Sequence, residues 1–188
     1  MEVHDAVLTR RARRVIDDKR PLSEADIDSL VEAMRLAPSC FNNQPWRSTF
    51  VYGPDALPQI KTALAKGNEW AHRAQLIIVV AARPPDDCLI GDRQYFLFDC
   101  GLAIGELVLR ATEMGMIAHP IAGFSPKKAR EVLGIPDEYT VITLVICGYP
   151  GTDDSVLSDK QKADEVSRPV RKPIGENFYK DKWGAPLR

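Results

Sequence analysis

The stretch Ala37-Pro38-Ser39-Cys40-Phe41-Asn42-Asn43-Gln44-Pro45-Trp46 lies between a helical pattern and the first strand-like one. Pro38 stops the helix before it, and a second proline at position 45 removes another backbone donor. Residues 38–45 therefore read as an irregular loop. Small polar side chains in a proline-bounded loop can hold amides and backbone N–H groups toward a heteroaromatic ring, whose edge alternates donors and acceptors. A loop that merely turns also uses Pro, Ser and Asn. Generic turning does not require Asn-Asn-Gln-Pro-Trp in that order.

Upstream, residues 3–16 read as a first helix, with Val3, Ala6, Val7 and Arg10 sharing one side. Ser23 and Asp26 have the spacing of a capping box. Ile27, Leu30, Val31 and Met34 follow at helical period. Downstream, Ser48–Tyr52 resembles a strand, and Gly53-Pro54 turns the chain into a short helix through Leu57, Ile60 and Leu64. Leu76-Ile77-Ile78-Val79-Val80 is apolar throughout and mostly β-branched, as expected of a central strand covered on both faces. After a break at 83–87, residues 94–114 form the longest helical segment. Its apolar positions nearly surround it (Phe96, Leu97, Phe98, Leu102, Ile104, Leu107, Val108, Ala111), which predicts burial. Gly101 and Gly105, one turn apart, would admit close approach of another backbone. Packing within the subunit is the commoner reason for such a pair, and contact with a second copy of the same helix the rarer one. Ser125-Pro126 opens another helix and Gly134 closes it. Val141–Cys147 is a second apolar strand. Residues 153–166 read as a polar surface excursion. Residues 167–188, rich in Pro, Gly and aromatics, read as an extended arm lying on this subunit or on a partner. Strands set between helices place the chain in the α/β or α+β class.

The 188 residues suit one domain, 1–188, with 170–188 as its C-terminal arm. Twenty-five basic and twenty-six acidic residues give a formal charge of −1. That balance gives no sign of nucleic acid or an anionic membrane as partner. Met1-Glu2-Val3-His4-Asp5 begins with charges, without the apolar core of a signal peptide. The longest apolar run, Leu76–Ala82, is too short to span a bilayer. The expectation is a soluble, cytoplasmic protein. Cys40, Cys88, Cys100 and Cys147 contain no Cys-x-x-Cys pair, and only three histidines are present, so no metal framework is expected and the thiols read as reduced.

Arg10-Arg11-Ala12-Arg13-Arg14 puts four guanidiniums in five residues. On a helix, Arg10 and Arg14 would share a face, and their repulsion calls for solvent or an anion. Guanidinium forks match phosphate oxygens in a bidentate way, so a phosphate between Arg10 and a second basic source is one reading. An ordinary basic helix end is the commoner one.

Ala-Pro-Ser-x-x-Asn-x-Gln-Pro-Trp at 37–46, preceded by Arg-Arg-x-x-Arg at 10–14, resembles the nitroreductase family. His119-Pro120-Ile121-Ala122-Gly123-Phe124 resembles that family's Pro-x-x-Gly-Phe segment. Leu133-Gly134-Ile135-Pro136, the run from Leu144 to Pro150 and Arg171-Lys172-Pro173 follow in the family's order. These blocks span most of Thr9 to Pro173.

The resemblance implies a three-layer α+β fold with a central mixed sheet flanked by helices, dimeric, with FMN in two clefts at the subunit interface. It implies that Arg10 and Arg171 hold the FMN phosphate, with Arg11, Ala12 and Lys172 close by. Arg14 would face the pyrimidine edge of the ring. Pro38, Ser39, Cys40 and Asn42, with Gln44 from the same motif, would reach the flavin from the other subunit. Ala122 and Gly123 would line the ring near N5, and Asn68 would offer it a side-chain amide. Ala12 stands where the family often has Ser, Ala122 where some members have Glu, and Cys40 where Ser or another small residue is usual. The connection at 83–93 is short, which leaves the cleft more open or covered by the tail.

The implied chemistry is a hydride passed from NADH or NADPH through flavin N5 to a small oxidised acceptor, a quinone or nitroaromatic, by a ping-pong route. The flavin carries the reaction, so no side chain is expected to be catalytic, with Arg14 as electrostatic support. A flavin-dependent oxidase, dehalogenase or flavin-modifying enzyme on the same fold, or a non-catalytic flavin-binding dimer, remain alternatives. The sequence does not separate NADH from NADPH. His119 reads as a structural hydrogen-bonding residue, and Cys40 as an inert thiol, since no partner cysteine is near it in sequence.

Overall fold

The fold is that of a computed structural model describing residues 3–187. Met1 and Glu2 of the N-terminal reading, and Arg188 of the predicted arm, lie outside the described residues. The elements run α1 Asp5–Thr9, α2 Glu24–Arg35, β1 Arg47–Val51, α3 Ala56–Lys61, β2 Leu76–Ala82, β3 Leu89–Ile90, β4 Arg93–Gln94, α4 Tyr95–Glu113, β5 Ile117–Ile121, α5 Pro126–Leu133, β6 Thr140–Gly148, α6 Asp159–Val166 and α7 Ile174–Asn177.

The main sheet has the order β1-β2-β6-β5. Its strand pairs are all antiparallel, so the expected mixed sheet is corrected to an antiparallel one among the described residues. β2 is buried at every position, as its unbroken apolar run requires. Side chains alternate along a strand, so Ile77, Val79 and Ala81 enter one core while Leu76, Ile78, Val80 and Ala82 enter the other. The first core gathers Ile60 of α3, Ala129 of α5, Trp70 and Ile16. The second gathers Leu30 and Met34 of α2 with Phe96, Cys100, Ala103 and Leu107 of α4. Two helical layers on the two faces of one sheet give the three layers.

The capping box at Ser23 and Asp26 forms as its spacing predicts. Gly134 closes α5 in the left-handed conformation, φ 64°. β5, which carries Pro120 and was not read as a strand, pairs only with β6, so the missing N–H of Pro120 falls at an edge. Three further readings are corrected. The first helix ends at Thr9 rather than 16. The polar stretch at 153–166 contains α6, opened by a capping box of Ser158 and Gln161. α4 is not buried all round: Leu97 is 40% and Phe98 57% exposed. Gly101 and Gly105 lie on its open side, where a Cβ would meet nothing within 4 Å, so neither serves packing inside this chain.

Candidate functional site

Residues 10–14 form no helix because their backbone groups bond elsewhere. The Arg10 carbonyl accepts from Arg168 Nη2 at 2.7 Å, and the Arg13 carbonyl meets His119 Nδ1 at 2.9 Å. The Arg14 N–H donates to the Glu165 carboxylate, which also accepts from Arg13 Nε at 3.3 Å. The Arg11 guanidinium donates to the carbonyls of Glu165 and Val166. The segment is thus a strap clamped between β5 and α6. It continues into the Ile16–Pro150 bridge at the edge of the first core.

This clamping gathers charge. A cavity of about 140 Å³ is lined by Arg10, Arg11, Ala12, Arg14, Arg168 and Arg171, among others. The Arg10 guanidinium is held below its ordinary pKa by burial, then by the cations of Arg168 and Arg171. Like charges held this close favour an anion between them. Arg14 Nη1 is buried with no hydrogen-bond partner among the described residues, and forms a long ion pair with Asp164 Oδ2 at 3.8 Å. An orphaned guanidinium donor beside a cluster of cations fits an anionic ligand with acceptors along a second edge.

Beside the strap, Asn68 Nδ2 donates to the Gly123 carbonyl at 2.8 Å, and its Oδ1 accepts from Trp70 Nε1 at 3.2 Å. A Cβ on Gly123 would lie 2.5 Å from Asn68 Nδ2, so only glycine admits this contact undisturbed. His119 is buried and stacks on Trp70, with ring centroids 4.8 Å apart. Burial first, then Arg14 and Arg10, lower its pKa, against opposing pulls from the Arg13 carbonyl and Glu165. A neutral ring bonded to a backbone carbonyl matches the structural role expected of it.

The loop at 38–45 leads into β1, at the opposite edge of the sheet from β5. Phe41, Asn42 and Gln44 all have positive φ, at 47°, 59° and 49°. Three non-glycine residues in the left-handed region within four positions are unfavourable unless the surroundings enforce them. Buried Asp99 of α4 accepts from the Cys40 N–H at 2.7 Å, and Ser39 Oγ accepts from the Gln44 N–H at 2.9 Å. Gln44 Nε2 donates to Asn42 Oδ1 at 3.0 Å. Cys40 is joined by a disulfide to Cys88, 48 residues further on. The reduced-thiol expectation is therefore corrected for these two, because the fold brings together cysteines that sequence spacing kept apart. Cys100 and Cys147 are free and buried.

A sequence model of the nitroreductase family matches residues 7–149. The chain belongs to the nitroreductase family. Among its relatives is a protein of Archaeoglobus fulgidus named "Putative NADH dehydrogenase/NAD(P)H nitroreductase", 32% identical over 184 residues, 94% of this chain and 96% of that one. An "Oxygen-insensitive NADPH nitroreductase" of Helicobacter pylori is 23% identical over 193 residues, 84% of this chain and 92% of its own. A solved structure described as an "oxidoreductase containing FMN" matches with a TM-score of 0.86 at 26% identity, covering 98% of this chain and 94% of its own.

In this nitroreductase-family chain the predicted residues fall into two groups. Arg10, Arg11, Ala12, Arg14 and Arg171 meet at the cationic cavity, and Asn68 meets Gly123, the neighbour of exposed Ala122. Pro38, Ser39, Cys40, Asn42 and Gln44 form the separate loop, and no described hydrogen bond joins them to the strap. Lys172 does not line the cavity; it pairs with Glu176 at 3.8 Å on the surface. Sequence reasoning missed Arg168 as a strap ligand, although it stands three residues before the predicted Arg171. It also missed Asp164 and Glu165, whose signal was the Ser158-x-x-Gln161 cap. Asp99 gave no signal, being one of three acids scattered along a mostly apolar helix.

Proposed function

We propose that the arginine cavity holds the phosphate of FMN and that the chain works as a homodimer passing a hydride from NADH or NADPH to a small oxidised acceptor, of the quinone or nitroaromatic kind. The single observation that carries this reading is the convergence of Arg10, Arg168 and Arg171 on one cavity beside the orphaned Nη1 of Arg14. Bound there, FMN would supply the hydride-accepting and hydride-donating N5. Arg10 and Arg171 would bind the phosphate through charge-assisted hydrogen bonds. Arg14 would place a cation at the pyrimidine edge, where negative charge gathers on reduction. Ala122 and Gly123, fixed by Asn68, would border the ring with backbone rather than with a side-chain acid.

The dimer follows from the half of the site that the strap lacks. The Pro38–Gln44 loop sits at the far edge of the sheet, so in this reading it closes the cleft of a second copy. The open side of α4, with Leu97, Phe98, Gly101 and Gly105, offers that copy an apolar face where backbones can meet closely. Phe41, 91% exposed at the loop tip, is a further apolar group for a partner to cover.

The test is the visible spectrum and sedimentation of the purified protein, followed by anaerobic mixing with NADH and with NADPH. The expected result is a yellow dimer bleached by at least one of the two and recoloured by a quinone. A colourless monomer that stays colourless in excess FMN would end this reading.

A further inference from the structure

Beneath the loop, Cys40 joins two buried residues, Cys88 and Asp87, to which the proposed flavin chemistry gives no task. The sulfurs of Cys40 and Cys88 and a carboxylate oxygen of Asp87 lie within 4.8 Å of one another. Asp87 is 6% exposed; its Oδ2 meets no N–H or O–H donor among the described residues, and its carboxyl lies against that of Asp99. Asn43 Nδ2 donates to Asp87 Oδ1 at 3.3 Å and reaches Cys88 Sγ at 3.7 Å, orienting carboxyl and sulfur together. Asp99 neighbours the same carboxyl, and its pKa is raised by burial and by Asp87. Asp99 holds the loop through the Cys40 N–H, whereas Asp87, beside Cys88, meets only the Asn43 amide and the Asp99 carboxyl. A carboxyl beside the departing sulfur can supply the proton that a thiolate takes up in a site shielded from water.

We propose that Cys40–Cys88 is a reactive disulfide that exchanges with low-molecular-weight thiols, with Asp87 relaying the proton. Cys40 is half-buried while Cys88 is buried, so attack falls on Cys40 Sγ. The incoming thiolate forms a sulfur–sulfur bond to Cys40 as the Cys40–Cys88 bond breaks. The electron pair departs on Cys88 Sγ, which is steadied by the Asn43 amide and protonated through Asp87 from solvent. A second thiolate then attacks the outer sulfur of the mixed disulfide and leaves as the oxidised small disulfide. Cys40 is released as a thiolate and takes a proton from solvent. Two small thiols are oxidised and one protein disulfide is reduced, and an oxidised small disulfide runs the sequence backward. Cys100 and Cys147 stand outside the reaction: burial pushes the Cys100 thiol up to about 12, and Cys147 is raised further by the same cause.

Because the loop carrying Cys40 also closes the proposed flavin cleft of a second copy, the test reads sulfur rather than turnover and is run on both flavin-free and flavin-loaded protein. The protein as purified is incubated in native buffer with glutathione at graded ratios of reduced to oxidised form, alkylated with excess iodoacetamide without denaturant and weighed. Two cysteines per chain should become alkylatable and revert together as the ratio is swept, while Cys100 and Cys147 stay unlabelled. Cys88→Ser treated with oxidised glutathione should trap glutathione on Cys40. Asp87→Asn should slow exchange about 100-fold, the low side of what a positioned acid contributes. Asn43→Ala, which keeps the carboxyl, should slow it by a smaller factor. Opening of the disulfide only in denaturant would overturn the proposal. So would wild-type exchange rates in both Asp87→Asn and Asn43→Ala.

Discussion

The two edges of the sheet are held by opposite means. At the β5 edge the strap is cationic, with the Arg10 charge disfavoured by burial and then by Arg168 and Arg171, and a donor of Arg14 left unpaired among the described residues. At the β1 edge the loop is uncharged and rests on a buried acid of α4, Asp99, which fixes the Cys40 N–H, while a disulfide ties Cys40 to Cys88. The first edge is left incomplete, and in the proposed function an anion completes it. The second is finished in advance, so its residues stand ready in a conformation they would not choose alone. Ligand-binding energy and folding energy should therefore separate along the sheet.

The largest effect expected is at the strap. Arg10→Ala combined with Arg171→Ala should weaken FMN binding about 100-fold or more, because each charge-assisted bond contributes roughly 1.5–3 kcal/mol. The flavin-free protein should melt no lower than wild type, since the substitutions relieve repulsion. Fluorescence titration and thermal melting check both halves, and a lower melt without flavin would show that the strap is a folding element after all.

Asp99→Ala should do the reverse. It orphans the buried Cys40 N–H and should cost about 1–3 kcal/mol of stability in urea unfolding, while Asp99→Asn, which keeps an acceptor, recovers most of it. If FMN affinity fell by as much as in the arginine pair, the division between the edges would be lost. A smaller loss, about 1 kcal/mol, is expected from Gly123→Ala, which displaces the Asn68 amide and unpairs it from the Gly123 carbonyl. A melt identical to wild type would mean that Asn68 moves aside freely.

The smallest effect concerns acid. The folded protein holds His119 below its ordinary value of 6.5, chiefly by burial, so the unfolded chain binds that proton first. Stability from this group is complete above 6.5 and is lost as pH falls from there through the lowered folded value. Melting between about pH 5.5 and 7.5, above most carboxylate titration, should show a shallow fall on the acid side. His119→Gln should flatten it, and an unchanged slope would assign the fall to another group.

Local pattern revealed the elements it controls. β2, the capped start of α2 and the Gly134 stop of α5 were legible because apolar period, caps and a left-handed glycine act within a few residues. The first helix was overextended because nothing local in Arg10–Arg14 opposes a helix. Its backbone is taken by Arg168, His119 and Glu165, each more than 100 residues away. The Cys40–Cys88 bond and the anchoring role of Asp99 were invisible for the same reason. The family motifs supplied the loop and strap as sites, while Arg168 and the acids of α6 had to be seen in place.

The left-handed run at Phe41, Asn42 and Gln44 sets stability against usefulness in this loop. Glycine would relax there at little steric cost, so a random search for more heat-resistant variants should repeatedly find glycine at these three positions. Such variants would surrender the side chains that the loop displays, and a hardened protein obtained this way would be a poorer tool than its parent.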